Sequence, residues 1–558
     1  MYREYTHKIE TLLREITGEE DVLLTDGGDH ADLASTVAFA LAKKERQNPV
    51  RIAADIVAKL AAAPQAAGIE VSANGPYINF VFGGAYVAES VRAARHPDYG
   101  QLPARTERVI IEHTSANPNG PLHVGHIRNT VIGDTLVRAF RKAGYPVEAQ
   151  YYLNDMGRQI AIVAWGVKHL HYDRLPGEKG DDFIVRHYVE ANRIAKEKPE
   201  IEPEFDEMME KIEAGDPETV KLFHDSVETC AQGIQETLAS MNVHHDNFVR
   251  ETTFLWNGEM QRVLDRVQAL PEVEHDGQMM YLDLSGEGFG NRYVLRRSNG
   301  TSVYAARDLA FHLWKNSRCD RSIDVLGADH KLIGAQLQTT LKLIGERPPE
   351  IVHFEFVSLP EGSMTTRGGV FITADELVAE TKKLAMEEVT VRRPELSETE
   401  RENIANAVAV GAVRYDIVKV SAEKSTVFDW KGALDFERQS APYVQYAHAR
   451  ACSILEKAAL DGGFSEEYTF TDPYEIALAK HLALFPYVVE KVVVELRPHL
   501  LATYVRDLAD LFNSFYRFAP VLKAEGSVRN ARLTLVDASR NTLQEALGVL
   551  GIEALASM

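Results

Sequence analysis

Residues 108–155 read RVIIEHTSANPNGPLHVGHIRNTVIGDTLVRAFRKAGYPVEAQYYLND. The apolar Val109–Ile111 suit a buried strand, and a polar loop rich in proline, glycine and asparagine follows as far as Pro121. Apolar residues then recur at helical spacing until Gly144 stops them, and PVEAQYYL resumes as a second strand. Strand, loop, helix and strand in this order make a βαβ unit, the first piece of a doubly wound nucleotide-binding sheet.

The helix opens on His123-Val124-Gly125-His126. Two imidazoles three residues apart in a first helical turn share one side, where unpaired N–H groups and the positive dipole end already favour phosphate. They can donate hydrogen bonds to a triphosphate, and Gly125 lets an adenine or ribose approach the backbone without a side chain in the way. Taken by its letters alone, the motif also reads as a surface histidine pair.

Working outward, residues 1–104 read as an α/β unit that ends in a strand candidate, Gly75–Phe82, and an exit linker near His96–Pro103. After the βαβ unit, polar helical sequence with acidic clusters fills the stretch from Trp165 to Met279 before QMMYLDL and NRYVLRRS turn strand-like. We read an insertion at about 166–290 within a domain spanning 105–380. From 381 to 558 apolar residues recur at helical spacing, which predicts a helical bundle. A chain of 558 residues, 45% hydrophobic, is long enough for such a set of cores.

The net charge of -21 opposes non-specific attraction to polyanions, so a nucleic-acid partner requires a local basic surface. Cys230, Cys319 and Cys452 lie far apart without a CxxC pair, which argues for reduced thiols and against a disulfide framework or structural zinc. Val50–Ala67, among the longest apolar stretches, contains Arg51, Asp55 and Lys59 and does not suit a bilayer. The amphipathic N-terminus has no apolar signal region, so a cytoplasmic protein with no membrane partner is expected.

SANPNGPLHVGHIRNT resembles the HIGH signature of class I aminoacyl-tRNA synthetases, and specifically of the arginyl family. Further similar blocks run in order along the chain: YLNDMGRQI from Tyr152, NGTSVYAARDLA from Asn299, VLGADHKL from Val325, SMTTRGG from Ser363, YVQYAHAR from Tyr443 and YVRDLADLFNSFYRF from Tyr504. The resemblance implies a multidomain α/β plus α protein. Its parts are a tRNA-contacting N-terminal domain over 1–104, a Rossmann-type catalytic domain over 105–380 and a helical anticodon-binding domain over 381–558.

It further implies an arginine–tRNA ligase that forms arginyl-adenylate from arginine and ATP and then charges the 3′-terminal adenosine of tRNA(Arg), with Mg²⁺ accompanying ATP and bound tRNA needed for efficient activation. A monomer is expected. His123, Gly125 and His126 would bind ATP, the two histidines acting in catalysis. Glu112, Asn117, Tyr304 and Asp308 would hold arginine, with His330 facing its amino group where many relatives have glutamine. Two carboxylates suit a planar guanidinium. By its residues alone, Asp308 reads more readily as a salt-bridge partner of Arg307 or an acid at a helix N-terminus, and the resemblance reverses that preference.

The second ATP motif, KMSK in the class, falls on Ser363-Met364-Thr365-Thr366 and lacks both lysines. Met364, Thr365 and Thr366 are therefore ATP-contact candidates, and Arg367 is the nearest catalytic cation for the leaving pyrophosphate, with Lys331 and Mg²⁺ as further sources of charge. The resemblance places anticodon contacts at Tyr443, Ala447, Tyr516 and the terminal Met558. Two other readings are a small-molecule adenylylating ligase and an inactive RNA-binding paralogue. The helical C-terminal domain argues against the first, and the joint presence of the arginine-pocket positions and both HIGH histidines argues against the second.

Overall fold

The computed structural model describes residues 1–290, 292–360, 372–458 and 468–558. At its centre lie five parallel strands, β1 (Val109–Glu112), β2 (Val147–Leu153), β3 (Asn247–Arg250), β4 (Arg321–Gly327) and β5 (Glu350–Phe354), in the order β5-β4-β1-β2-β3. Every residue of β1 is buried, as a strand covered on both faces requires. Successive connections leave β1 toward β2 and β3 on one side and toward β4 and β5 on the other. That reversal opens a crevice outside the C-terminal ends of β1 and β4, where doubly wound sheets bind ligands.

Helix α1 (Val124–Lys142) joins β1 to β2, α2 (Tyr304–Arg318) precedes β4, and α3 (Lys331–Leu343) joins β4 to β5. Almost all of α1 is buried, polar Arg128, Asn129 and Asp134 included. Gly133 belongs to this packing, because a Cβ there would come within 2.2 Å of the His113 side chain in the loop after β1.

The insertion expected at 166–290 is not one block. Three long helices, Gly180–Glu197, Glu202–Glu213 and Pro217–Ser240, leave the sheet, and the chain then returns to it as β3, which pairs with β2 from Gln150↔Asn247 to Leu153↔Arg250. A second excursion follows, with an antiparallel sheet of Val273–Asp276, Met279–Leu282 and Tyr293–Arg296. The return escapes a sequence reading because β3 has four residues, of which only Val249 is buried.

The N-terminal unit builds a four-stranded antiparallel sheet with the hairpin Ile69–Asn74 and Tyr77–Phe82 at one side. Leu33–Ser35, buried throughout, is an inner strand of that sheet. Beyond β5 the chain is mostly helical: α4 (Ala374–Arg392), α5 (Glu398–Val418), α6 (Ala441–Ala458), α7 (His499–Phe518) and α8 (Gly526–Val549) carry most of it, and α5 packs on both α1 and α6. Among the described residues no helix is long and apolar enough to cross a membrane, and Cys230, Cys319 and Cys452 are unbridged.

Candidate active site at the switch point

The loop from β1 to α1 is strained where the crevice opens. Thr114 and Ser115 adopt φ values of 70° and 39°, a region that a β-branched residue rarely visits. Asn129 of α1 holds this turn by accepting the Thr114 N–H at 2.8 Å, and its own amide donates to the Val325 carbonyl of β4 at 2.9 Å. One side chain thus fixes the loop to both strands of the switch point.

His123 caps α1 and His126 closes a reciprocal capping box with it. The Gly125 N–H donates to His123 Nδ1 at 3.1 Å, and the His123 N–H donates to His126 Nδ1 at 3.2 Å. Each neutral ring therefore carries its hydrogen on Nε2. The rings stack with centroids 3.7 Å apart. Burial pushes both imidazoles below the ordinary range, and His126, with His123 beside it, falls to about 3. The pair is thus uncharged at neutral pH and presents N–H donors at a helix N-terminus.

The segment beyond the second ATP motif is tied to the same place. His123 bridges Thr373, the Val124 N–H donates to Ile372 O at 3.2 Å, and the Ala374 N–H donates to Leu122 O at 2.7 Å. Met364, Thr365, Thr366 and Arg367 lie outside the described residues. Lys331, the other cation considered for pyrophosphate, pairs with Glu355 at 3.0 Å.

Across the crevice Tyr304 opens α2 and Asp308 follows one turn later. Asp308 does not pair with Arg307, whose guanidinium instead engages Glu251 and Ser302. Its partner is His312, with Nδ1 3.2 Å from Asp308 Oδ1. Glu112, at the end of β1, accepts from Lys315 Nζ at 2.8 Å on Oε2 and from the Ser115 hydroxyl at 3.1 Å on Oε1. Asn117 is exposed and held by Gln159 at 2.8 Å and Asn154 at 2.6 Å. His330 sits on the exposed turn after β4 with its Nε2 3.6 Å from Asp329.

Sequence reasoning missed two tyrosines here. The hydroxyls of Tyr152 and Tyr293 are buried with no hydrogen-bond partner among the described residues. Burial raises both phenols, and Asp308 adds to the shift in each. Their signal was only partial, since Tyr152 lies within the block YLNDMGRQI but resembles an ordinary strand aromatic.

Three family models match the chain in order: the arginyl tRNA synthetase N-terminal domain over residues 3–82, the class I (R) tRNA synthetase catalytic domain over 94–430 and the DALR anticodon binding domain over 444–558. The arginine–tRNA ligase of Methanocorpusculum labreanum is 84% identical over the whole of both chains. The chain belongs to the arginyl-tRNA synthetase family. The ligase of Methanoregula boonei is 60% identical, again over the whole of both chains. Among solved structures, Thermus thermophilus arginyl-tRNA synthetase aligns over all of both chains with a TM-score of 0.87 at 30% identity, and the Plasmodium falciparum enzyme shares the fold with a TM-score of 0.84 at 18% identity. This arginyl-tRNA synthetase is thus an ATP-dependent arginine–tRNA ligase with a class I Rossmann catalytic domain and a helical anticodon-binding domain.

In that C-terminal domain the synthetase has a cleft of about 460 Å³ whose walls include Arg393, Tyr446, Arg450, Tyr516 and Met558. Arg450 lies over the rings of Tyr446 and Tyr516, at 4.7 and 5.1 Å. Arg393 donates to the Met558 carbonyl at 2.8 Å and fixes the chain end. Tyr443 is half-buried outside this cleft, its hydroxyl donating to Asp510 at 2.7 Å. Ala447 is wholly buried, its methyl in the packing of the helices. Tyr446, which was passed over, is exposed instead.

Proposed function

We propose that ATP lies at the N-terminus of α1, with the Nε2–H groups of His123 and His126 directed at its phosphates and the base or ribose against Gly125. Arginine lies between Glu112, Asn117, Tyr304 and Asp308, with the Tyr152 and Tyr293 hydroxyls as additional polar groups for the guanidinium and His330 near the amino end. An arginine carboxylate oxygen attacks the α-phosphorus, the bond to the bridging β-oxygen breaks, and pyrophosphate leaves. Positioning and charge stabilisation are sufficient for this step, so no covalent enzyme intermediate is needed.

Mg²⁺ accompanies ATP, and together with Arg367 it supplies the positive charge that the missing KMSK lysines would have carried, while Met364, Thr365 and Thr366 border the triphosphate. The 2′-hydroxyl of the 3′-terminal adenosine of tRNA then attacks the adenylate carbonyl, the mixed-anhydride bond to phosphate breaks, and AMP leaves as the arginyl ester forms. Residues 1–104 touch the tRNA, 105–380 carry the chemistry and 381–558 read the anticodon, with Tyr443, Ala447, Tyr516 and Met558 at the base-reading surface and the exposed Tyr446 beside them. The enzyme works as a cytoplasmic monomer without zinc.

The observation that carries the phosphate assignment is the paired capping geometry that leaves both hydrogens on Nε2. Arginine-dependent ATP–pyrophosphate exchange in the presence of tRNA tests it. His126→Ala should lower kcat about a hundredfold, as loss of a transition-state hydrogen bond does. An unchanged kcat would remove His126 from the phosphate site.

A further inference from the structure

Beneath the proposed arginine pocket a string of opposite charges runs from β1 through α2 to β4. Lys315 Nζ lies 2.8 Å from Glu112 Oε2 and 2.7 Å from Asp324 Oδ1, and Asp324 Oδ2 lies 2.8 Å from His312 Nε2. The other nitrogen, His312 Nδ1, faces the Asp308 carbonyl at 2.8 Å and its carboxylate at 3.2 Å. Lys315 is fully buried, its ammonium 4.2 Å from the Phe311 ring centre.

Two features give this string a direction. Glu112, His312 and Asp324 converge as a metal-binding set would, but the Lys315 ammonium already bonds to both carboxylates and supplies the cation. Both nitrogens of His312 face oxygen acceptors, so both must carry hydrogen and the ring is an imidazolium. Burial and Lys315 oppose that proton, yet Asp324 and Asp308 outweigh them and hold His312 at about 9. Glu112, on β1, is the remaining charge in the cluster.

Counting charges then becomes informative. Three carboxylates, Glu112, Asp308 and Asp324, stand against Lys315 and the protonated His312, leaving one negative charge for an incoming guanidinium to neutralise. Without Lys315 and His312 the buried Glu112 and Asp324 carboxylates would stand side by side without a counter-charge, and Asp308 would lose the ring that contacts its Oδ1.

We propose that Lys315 and His312 are positioning residues for arginine, holding the Glu112 and Asp308 carboxylates in place for the substrate guanidinium without touching it. The inference rests on the arginine site proposed above. Lys315 holds Glu112 Oε2 and the Ser115 hydroxyl holds Oε1, while His312 contacts Asp308 through Oδ1 and leaves its Oδ2 for the substrate.

The test is arginine-dependent ATP–pyrophosphate exchange with tRNA on the full-length chain, comparing His312→Gln, Lys315→Met, Lys315→Arg and the reference variant Asp308→Asn. His312→Gln and Lys315→Met should each raise the arginine KM by about tenfold or more while the ATP KM stays within about twofold, and Lys315→Arg should recover most of the loss. The ratio of the His312→Gln KM to the parent KM should narrow as pH rises above about 9, because the parent then loses the same charge.

An unchanged arginine KM, a parallel rise in the ATP KM, or a ratio independent of pH would overturn the positioning role. Lys315→Met leaves the buried Glu112 without a counter-charge and Asp324 with His312 alone; if it does not fold, His312→Gln and Lys315→Arg decide the matter. Asp308→Asn separates the two readings. If it leaves the arginine KM unchanged, the site itself is wrong; if it raises KM while the other variants do not, only the positioning role fails.

Discussion

Three histidines near the first strand are neutral chiefly because they are buried. His126 is lowered to about 3, His245 to about 4, and His113, its ring tilted against that of His245 at 4.2 Å, lies well below the ordinary range. The unfolded chain binds a proton on His245 near pH 6.5 that the fold rejects until about 4, so stability is full above that window and falls as pH drops through it. His245→Gln should therefore lose about 1–2 kcal/mol less than the parent between pH 7 and pH 5 in urea denaturation. Equal losses would show that His245 does not carry the proton uptake. At this scale the sequence exposes what is local: His123 and His126 are legible because three residues separate them and a loop-to-helix signal surrounds them. Lys315 is not, since its meaning comes from Glu112, 203 positions away, and in isolation it looks like one more exposed helix lysine.

Elements are legible where apolar periodicity and punctuation agree, as in β1, α1 and β2. They vanish where they are short or half-exposed. β3 has a single buried residue, the strand Ile69–Asn74 buries only Ile69, and Thr426–Val427 is a two-residue strand paired with Val357–Ser358. That last pairing joins the chain before the second ATP motif to the chain after α5, and Arg128 of α1 clamps it. Its guanidinium donates to Phe356 O at 3.2 Å, Ser421 O at 3.0 Å, Ala422 O at 3.4 Å and Lys424 O at 2.6 Å. A lysine has no planar fork and fewer donors, so it cannot serve all these carbonyls. Arg128→Lys should cost about 2–3 kcal/mol, seen as a lower thermal midpoint, and should reduce kcat of activation more than it raises the arginine KM. An unchanged midpoint would mean that the clamp is dispensable.

Across the whole molecule, domain order follows from motif blocks that each lie within one stretch of chain, whereas the lock between domains does not. Asp134 of α1 and Arg414 of α5 are 280 positions apart, yet they form a buried ion pair. Arg414 also donates to Leu550 O at 2.8 Å and Met241 O at 2.9 Å, while Arg138 donates to Asp134 at 2.7 Å and Asn242 O at 2.6 Å. Gly551, at φ 71°, leaves room for this guanidinium, since a Cβ would fall 2.1 Å from Arg414 Nη2. One carboxylate thus fastens the helix that carries the histidine pair to α5 and, through Arg414, to the chain at Leu550. Burial alone would raise the Asp134 carboxyl, but Arg414 and Arg138 outweigh it and lower its pKa below 3.8. Its contribution is present above that value and disappears as pH falls through the folded one. Asp134→Asn strands Arg414 without a counter-charge and should cost about 3–5 kcal/mol at pH 7, with the deficit shrinking in strong acid. Because Arg414 also holds the Leu550 carbonyl within the anticodon-binding domain, the variant should impair aminoacylation of tRNA more than it changes the KM for arginine or ATP in exchange. Loss of stability with charging and exchange reduced in equal proportion would make Asp134 a structural anchor with no part in coupling the two domains.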